Sequence, residues 1–395
     1  MNRFWNKVLA WILPRLRIGE YHKNLPKSIV KKSNLVFEFK EGTLEQEKIV
    51  NEKSEFIPEL EEKLNRCTKY GGYKKFLKYY YWSHRKFLYF NFKKNVYGGL
   101  PFFINNAQII SIKNITYSPQ YWANNLVNKY TFKIDNKSKS EIMIDKLFTF
   151  DIGMAESFQH FIQDCAPIIN MSKNILNSDK TIKIVLPKEA NNWNSRAFFF
   201  ERMQIQNEII ELKKNQTYYI NELFVWNFKP YNAKFIFPKS WYSNFYSAIN
   251  TTNKNLSLKR SIVILARQEI SRNLKNSEQI FDFFQELALK LEYEFKVLNP
   301  GKTSITELEA ELSNARFIIS AVSGGNLNLV FAPKDCALFE LVPLNSTDSL
   351  IHFITGIGLK YIPIPINYNK SDLYFNVETN ELNIIKDIIL KIIKT

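Results

Sequence analysis

Chemistry needs particular side chains at particular spacings, and this chain holds two such constellations. The first lies in Asp151-Ile152-Gly153-Met154-Ala155-Glu156-Ser157-Phe158-Gln159-His160-Phe161-Ile162-Gln163-Asp164-Cys165-Ala166-Pro167. Read as a helix from Ala155, it sets Glu156, His160 and Asp164 at i, i+4 and i+8, along one face. Phe158, Phe161, Ile162 and Cys165 fill the rest, so the polar stripe is narrow. A carboxylate beside an imidazole fixes its tautomer and raises its basicity, which is what a general base requires. A capping glutamate followed by a His–Asp pair that merely satisfies itself at a core edge would give the same pattern.

The second constellation is spread over the C-terminal half. Arg267 follows the apolar run Ser261–Ala266, and Arg272 comes five residues later, with Asn276 just before the next helical segment. Ser323-Gly324-Gly325-Asn326 follows another apolar run, Asn328 lies two residues on, and Glu340 closes the run Ala337–Leu341. Arginine forks hold phosphate oxygens in pairs and keep their charge at any relevant pH. Paired glycines let the backbone approach a ligand closely, and the start of the following helix offers free N–H groups to a diphosphate. A carboxylate at a strand end can accept the hydrogens of both ribose hydroxyls. Together these are the parts of a nucleotide-diphosphate site. Singly, a Gly-Gly loop is also an ordinary turn, and a strand-end arginine an ordinary surface ion pair.

The elements that must position these groups alternate in the second half. Strand 261–266, helix Ser277–Leu291, strand Tyr293–Leu298, a Pro300–Gly301 turn, helix Ser304–Asn314 and strand Arg316–Ser320 follow one another. After the glycine loop come a helix near Leu327 and strand Ala337–Leu341. Strands alternating with helices of this length predict a parallel sheet covered on both faces, whose ligands bind beyond the carboxyl ends of the strands. In the first half, Gln108–Ile112, Thr181–Leu186, Phe224–Trp226 and Phe235–Phe237 read as short strands, while Trp193–Gln204 and Gln206–Leu212 suit helices. The tail Glu381–Lys394 is an amphipathic helix, expected to return to the first domain. The division expected is an N-terminal α/β domain over 1–245, a nucleotide-binding domain over 246–365 and a helical tail over 366–395.

Composition sets outer limits. The 395 residues include 54 Lys+Arg against 38 Asp+Glu, a net charge of +16, with 45% hydrophobic and 15% aromatic residues. That length suits two cores, and that charge suits anionic partners: nucleic acid, a membrane surface or phosphorylated substrates. Cys67, Cys165 and Cys336 lie far apart, as expected of a reduced, intracellular protein. No HExxH, Cys/His cluster or Asp-x-Asp triplet occurs, so no metal site and no cofactor is expected. No stretch approaches the ~20 apolar residues of a membrane span. Residues 1–17 place Trp5, Leu9, Trp11, Ile12 and Leu13 beside Arg3, Lys7, Arg15 and Arg17. This suits an interfacial anchor on an anionic membrane, or a docking helix on its own domain. Residues 68–99 interleave Tyr and Trp with Lys and Arg, which suits single-stranded nucleic acid, a membrane interface, or a helix with aromatics inward and lysines solvated.

The C-terminal half resembles glycosyltransferase family 61, a group that includes many bacterial capsule and surface-polysaccharide enzymes. The resemblance rests on Ala266-Arg267, Arg272, Asn276-Ser277-Glu278, Ala315, Val322-Ser323-Gly324-Gly325-Asn326-Leu327-Asn328, Val330-Phe331 and Glu340. Upstream, His160, Asp164 and Pro167 match a further family element. Two positions depart: Val322 and Ser323 stand where the family's loop has His and Gly. The resemblance implies a GT-B architecture, two Rossmann-like domains facing a cleft, with metal-independent, inverting transfer from a nucleotide-sugar to a glycan or lipid-linked glycan. His160 is expected as the base, with Asp164 as its orienter and Asp164 or Glu156 as the alternative base. Arg267, Arg272, Asn276, Ser323, Gly324, Gly325, Asn326, Asn328 and Glu340 would bind the donor. Such an enzyme would act in the cytoplasm, at the inner face of the cell membrane. The competing readings are a nucleic-acid-binding protein, suggested by the charge, and an inactive scaffold of polysaccharide assembly, suggested by Val322.

Overall fold

Short β-branched and aromatic runs bounded by turn residues become strands here, and longer apolar stripes become the helices that cover them. The computed structural model describes residues 34–39, 107–117, 142–149, 158–186, 194–213, 216–227, 239–250, 260–267, 273–343, 350–366, 368–369 and 374–394. The 1–17 and 68–99 segments and the strand expected at Phe235–Phe237 lie outside these residues. The described residues up to Phe245 form one compact unit and those from Tyr246 a second, the boundary falling inside the helix Lys239–Ile249.

The first unit is built on β1 (Asn34–Phe39), β2 (Ala107–Tyr117), β3 (Met143–Thr149), β4 (Lys183–Val185), β5 (Ile209–Ile210) and β6 (Tyr218–Asn227). They form one mixed sheet in the order β1-β2-β6-β3-β4-β5. The β1, β2 and β6 pairings are antiparallel; β6, β3, β4 and β5 run parallel. Helical residues 158–171 and the helix Lys173–Ser178 connect β3 to β4, and the helix Asn194–Arg202 connects β4 to β5. These connections pack through rings: Phe199 lies 6.3 Å from both Phe158 and Phe161, and Phe200 stacks on Phe161 at 6.2 Å. Gln206–Leu212, expected as a helix, is instead extended and contains β5. Gln204 takes a left-handed φ of 61° and ends the preceding helix. Beyond it the amides of Ile184 and Leu186 donate to the carbonyls of Glu208 (2.8 Å) and Ile210 (3.1 Å). The adjacent β-branched Ile209 and Ile210 fit that ladder better than a helix.

The second unit contains β7 (Ser261–Leu265), β8 (Asn273–Leu274), β9 (Glu294–Leu298), β10 (Ala315–Ala321), β11 (Ala337–Pro343), β12 (Lys360–Ile366), β13 (Tyr368–Asn369) and β14 (Tyr374–Phe375). Five strands form a parallel sheet in the order β12-β11-β10-β7-β9, and β13, β14 and β8 form a small separate one. This is a doubly wound α/β arrangement, compatible with a Rossmann-like domain. Ile262, Ile264, Phe317, Ile319, Phe339, Leu341, Ile362 and Ile364 share one buried cluster with Ile280, Phe284 and Leu287 of the helix Ser277–Lys290. Strand alternation turns Leu265, Ser320 and Glu340 to the opposite face.

The tail helix, Thr379–Lys394, does not return to the first unit. Its stripe Leu382, Ile385, Ile388, Ile389 and Ile392 belongs to the C-terminal core cluster. The reason is a tether just before it. The β14 strand pairs with β8, and Asn276 Nδ2 donates to Val377 O (2.7 Å) while its Oδ1 accepts from Val377 N (3.2 Å). That stripe, with Ile384, therefore completes a core that the sheet alone leaves open. Ile385→Ala should lower stability by about 2–4 kcal/mol, the usual cost of emptying a buried aliphatic site. Urea denaturation of the full chain measures this, and a loss below about 1 kcal/mol would show that the helix is only loosely applied.

Candidate donor site

Ligands of an open parallel sheet gather where consecutive connections leave in opposite directions, because the loops there part. In the second unit that point lies between β7 and β10: the chain runs from β7 outward to β9, then crosses back to β10. Register pairs Leu265 with Ser320, so the carboxyl ends of both strands are level. Arg267 follows β7 and is half-exposed, while the loop Ser323-Gly324-Gly325 follows β10. The Pro300–Gly301 turn follows β9, whose Leu298 O accepts from Ala266 N at 2.9 Å. A Cβ added at Gly325 would stand 3.2 Å from both Cβ and Cγ of Pro300 and 3.3 Å from Ser323 Oγ. A side chain at 325 would therefore be tight against Pro300, which would have to give by a few tenths of an ångström.

Gly324–Phe331, expected as an ordinary helix near Leu327, is a 3₁₀ helix. Its first hydrogen bond runs from Asn326 N to Ser323 O (3.2 Å), so the amides of Gly324 and Gly325 precede the internal ladder, as helix-start amides do. The far end is held within the same unit. Tyr246 Oη donates to Ala332 O (2.8 Å), and Asn250 Nδ2 donates to Ala332 O (3.0 Å) and Val330 O (3.3 Å). Burial raises the Tyr246 phenol above its ordinary pKa, which keeps it a neutral donor. Asn328 Nδ2 closes the loop onto Gly325 O at 2.9 Å.

Glu340 is 0% exposed, on the face of the sheet opposite the main core cluster. Its Oε1 accepts from Asn326 Nδ2 (2.7 Å) and its Oε2 from Tyr361 Oη (2.5 Å). Asn326 Oδ1 in turn accepts from Ser320 Oγ at 2.6 Å. A carboxylate withdrawn from water needs such partners, and here they tie β10, β11 and β12 to the glycine loop. Ser320 and Tyr361 had no place in the sequence-derived site. Their signal was a hydroxyl in each of two otherwise apolar strands, on the same face as a buried glutamate.

The other expected donor residues divide. Asn276, besides its two bonds to Val377, donates to Gln279 Oε1 (2.9 Å), so its amide is engaged in fixing the start of the helix Ser277–Lys290. Val322 and Ser323, the two departures from the family loop, are both buried. Arg272 lies outside the described residues.

In the first unit, β3, β4 and β5 step outward while β6 returns to the other flank of β3, so the connections part at the end of β3. His160 and Asp164 follow that strand end on the backbone of the helical stretch 158–171; Glu156 lies outside the described residues. The turn Phe161–Cys165, which carries Asp164, is a π-helix rather than the regular helix expected. Such wide turns concentrate at functional sites. Among the described residues no group of three or more His, Cys, Asp or Glu could hold a metal ion, and no helix is long and apolar enough to cross a membrane.

Comparison with known proteins bears on this arrangement. The family described as Glycosyltransferase 61 matches residues 158–339. None of the curated proteins matches the chain. Among solved structures, it is similar to a diflavin flavoprotein A3 from Nostoc sp. at 13% identity, covering 33% of this chain and 89% of that one, with a TM-score of 0.25. A flavodoxin-like domain from Synechococcus sp. gives 13% identity, 33% and 94% coverage and a TM-score of 0.25. The flavodiiron protein from Giardia intestinalis gives 8%, 72% and 95%, and a TM-score of 0.25. At those TM-scores nothing about fold or ligand follows. The family match begins in the helical stretch bearing His160 and ends at Phe339, beside Glu340, and so runs through both constellations. Residues 158–339 are a glycosyltransferase family 61 region, and the enzyme they belong to is a glycosyltransferase.

Proposed function

We propose that the second unit binds the nucleotide-sugar donor at the β7/β10 switch point and the first unit presents the acceptor hydroxyl at the end of β3, in a GT-B type enzyme. The observation that carries this reading is the position of Arg267 and the Ser323–Asn326 loop on the two sides of the switch point. Arg267, with Arg272, holds the diphosphate by charge-assisted hydrogen bonds, and the Gly324 and Gly325 amides add dipole stabilisation as negative charge grows on the leaving group. This supplies what Val322 cannot: a neutral side chain at that position gives the phosphates no proton or charge. Glu340 acts by holding Asn326, and through it the loop, since its carboxylate oxygens already serve Asn326 and Tyr361. Asn276 likewise supports the site through the helix start it braces.

In the transfer His160 takes the acceptor proton as the hydroxyl oxygen attacks the anomeric carbon, with Asp164 orienting the imidazole and Glu156 as the alternative base. The anomeric carbon–phosphate oxygen bond breaks, the configuration inverts, and the nucleoside diphosphate leaves with its charge held by the arginines and loop amides. The acceptor is a capsule, lipopolysaccharide or related surface glycan, free or lipid-linked. The enzyme works in the cytoplasm at the inner membrane face, held there by residues 1–17. The family match favours this reading over a nucleic-acid-binding protein or an inactive scaffold.

Arg267→Ala should weaken nucleotide-sugar binding by about 10- to 150-fold, the loss of a charge-assisted contact of roughly 1.5–3 kcal/mol. His160→Ala should leave donor affinity nearly unchanged and slow transfer by about 10²–10⁴-fold. Donor titration and single-turnover rates on the two folded variants test the division; a donor defect in His160→Ala with Arg267→Ala unaffected would reverse the assignment.

Glu340→Gln sets an amide where Asn326 and Tyr361 both donate, leaving a buried donor without an acceptor at a cost of about 1–3 kcal/mol. The melting temperature should fall and the donor KM rise together, because loop and sheet share the anchor. An unchanged melting temperature with a raised KM would instead make Glu340 a direct ligand contact.

Transfer should persist in excess EDTA, since arginine and helix-start amides neutralise the diphosphate. Complete loss on chelation, with recovery in Mn²⁺ or Mg²⁺, would assign that task to a metal.

A further inference from the structure

Arg196 is set in the first turn of the helix Asn194–Arg202, which follows β4 at the same sheet edge where helical residues 158–171 follow β3. Its environment is costly in three ways. The first turn of this helix contains no acidic residue, so nothing within that turn offsets the guanidinium at the positive end of the helix dipole. Its Nη1 is buried and has no hydrogen-bond partner. Burial also lowers its pKa, opposed only by the charge of Glu211. Half-buried cations are ordinarily paired, because desolvation without a partner is expensive. The neighbourhood is held firmly: one helical turn later, on the same face, Phe199 and Phe200 meet Phe158 and Phe161, on either side of His160 in sequence. The side chain is thus a desolvated cation near the acceptor-side helix, with hydrogen-bonding capacity unspent.

We propose that Arg196 forms an oxyanion-binding subsite in the first unit that recognises a carboxylate or phosphate group on the acceptor. This rests on the acceptor role proposed above for that unit. A guanidinium fork matches the paired oxygens of either group, and an anion there would relieve the dipole, burial and hydrogen-bond deficits at once. The acceptor class this selects is anionic: a uronic-acid-bearing glycan or a phosphate-linked one.

Thermal unfolding of the full chain provides the test, with inorganic phosphate and glucuronate as probes against chloride at equal ionic strength. Arg267→Ala is the background, which weakens anion binding at the donor site. At least one probe should raise the melting temperature of that protein by about 2 °C or more, and adding Arg196→Gln should abolish the rise. A phosphate response points to a phosphate-linked acceptor, a glucuronate response to a uronic acid. Arg196→Lys, which keeps the charge without the fork, should retain a smaller rise. Without ligand, Arg196→Gln should melt at or above the parent temperature, because an unbalanced charge is removed. A rise that survives Arg196→Gln, no rise with either probe in the Arg267→Ala protein, or a ligand-free fall of several degrees in Arg196→Gln would overturn the proposal. Nucleotide-sugar titration of the otherwise unaltered protein separates this from the donor reading. Failure there with the anion response intact would remove the donor site and leave the subsite standing.

Discussion

A carboxylate buried inside a parallel sheet is the constraint around which the C-terminal unit is arranged. Glu340 would be strongly disfavoured in that position without donors, so the chain must deliver Asn326 and Tyr361 to it. Delivering Asn326 fixes where the 3₁₀ helix begins, and that start sets the direction of the Gly324 and Gly325 amides. The same requirement draws Ser320 into the network and places the loop against Pro300, which favours a small residue at 325. One buried carboxyl group thereby ties down a loop whose own composition, rich in small residues, would specify little.

The alternation of strands and helices from 261 to 341 was legible because the central runs are apolar enough to be buried on both faces, while the edge strand β9 is partly exposed, and the crossovers leave no other sheet type. The start of the helix expected from Ser304 has a local cause: Ser304 Oγ accepts from Glu307 N at 3.2 Å. What failed were features set by distant partners. Within Gln206–Leu212 only the adjacent Ile209 and Ile210 hint at a strand, and the partner that decides it, β4, is distant in sequence. The tail helix has the stripe of any amphipathic helix, and the partner of that stripe depends on the β14–β8 pairing, which is only two residues long. The loop residues of the second unit were legible in sequence order, but the hydrogen-bond network joining Ser320, Asn326, Glu340 and Tyr361 was not. Glu340 reads as a ligand group from its strand-end position, and only the register with Ser320 and Pro363 shows it enclosed. Asn276 reads the same way until Val377, 101 residues on, is seen to occupy its amide.

The two units solve one problem with different materials. Each presents a point where parallel connections part, and each sets chemistry beside it. In the second unit Ser320, Asn326, Glu340 and Tyr361 are spent on one another, which ties the loop to the sheet. In the first, aromatic rings do the holding, and Arg196 keeps hydrogen-bonding capacity in reserve. Rings pack without consuming polar partners, so a ring-lined wall leaves its charged groups available.

The wide turn at Phe161–Cys165 has a geometric consequence for what precedes it. A regular helix advances about 100° per residue, so a turn accommodating one extra residue rotates everything upstream by about that angle relative to everything downstream. Downstream, Ala166, Ile168 and Ile169 are locked in the core. Upstream, the backbone carrying His160 is aimed by the count of residues in that single turn. Insertion or deletion of one residue there would re-aim that backbone by roughly a quarter of a circle while leaving the buried anchor in place. The turn is therefore an angular adjustment set by a single residue.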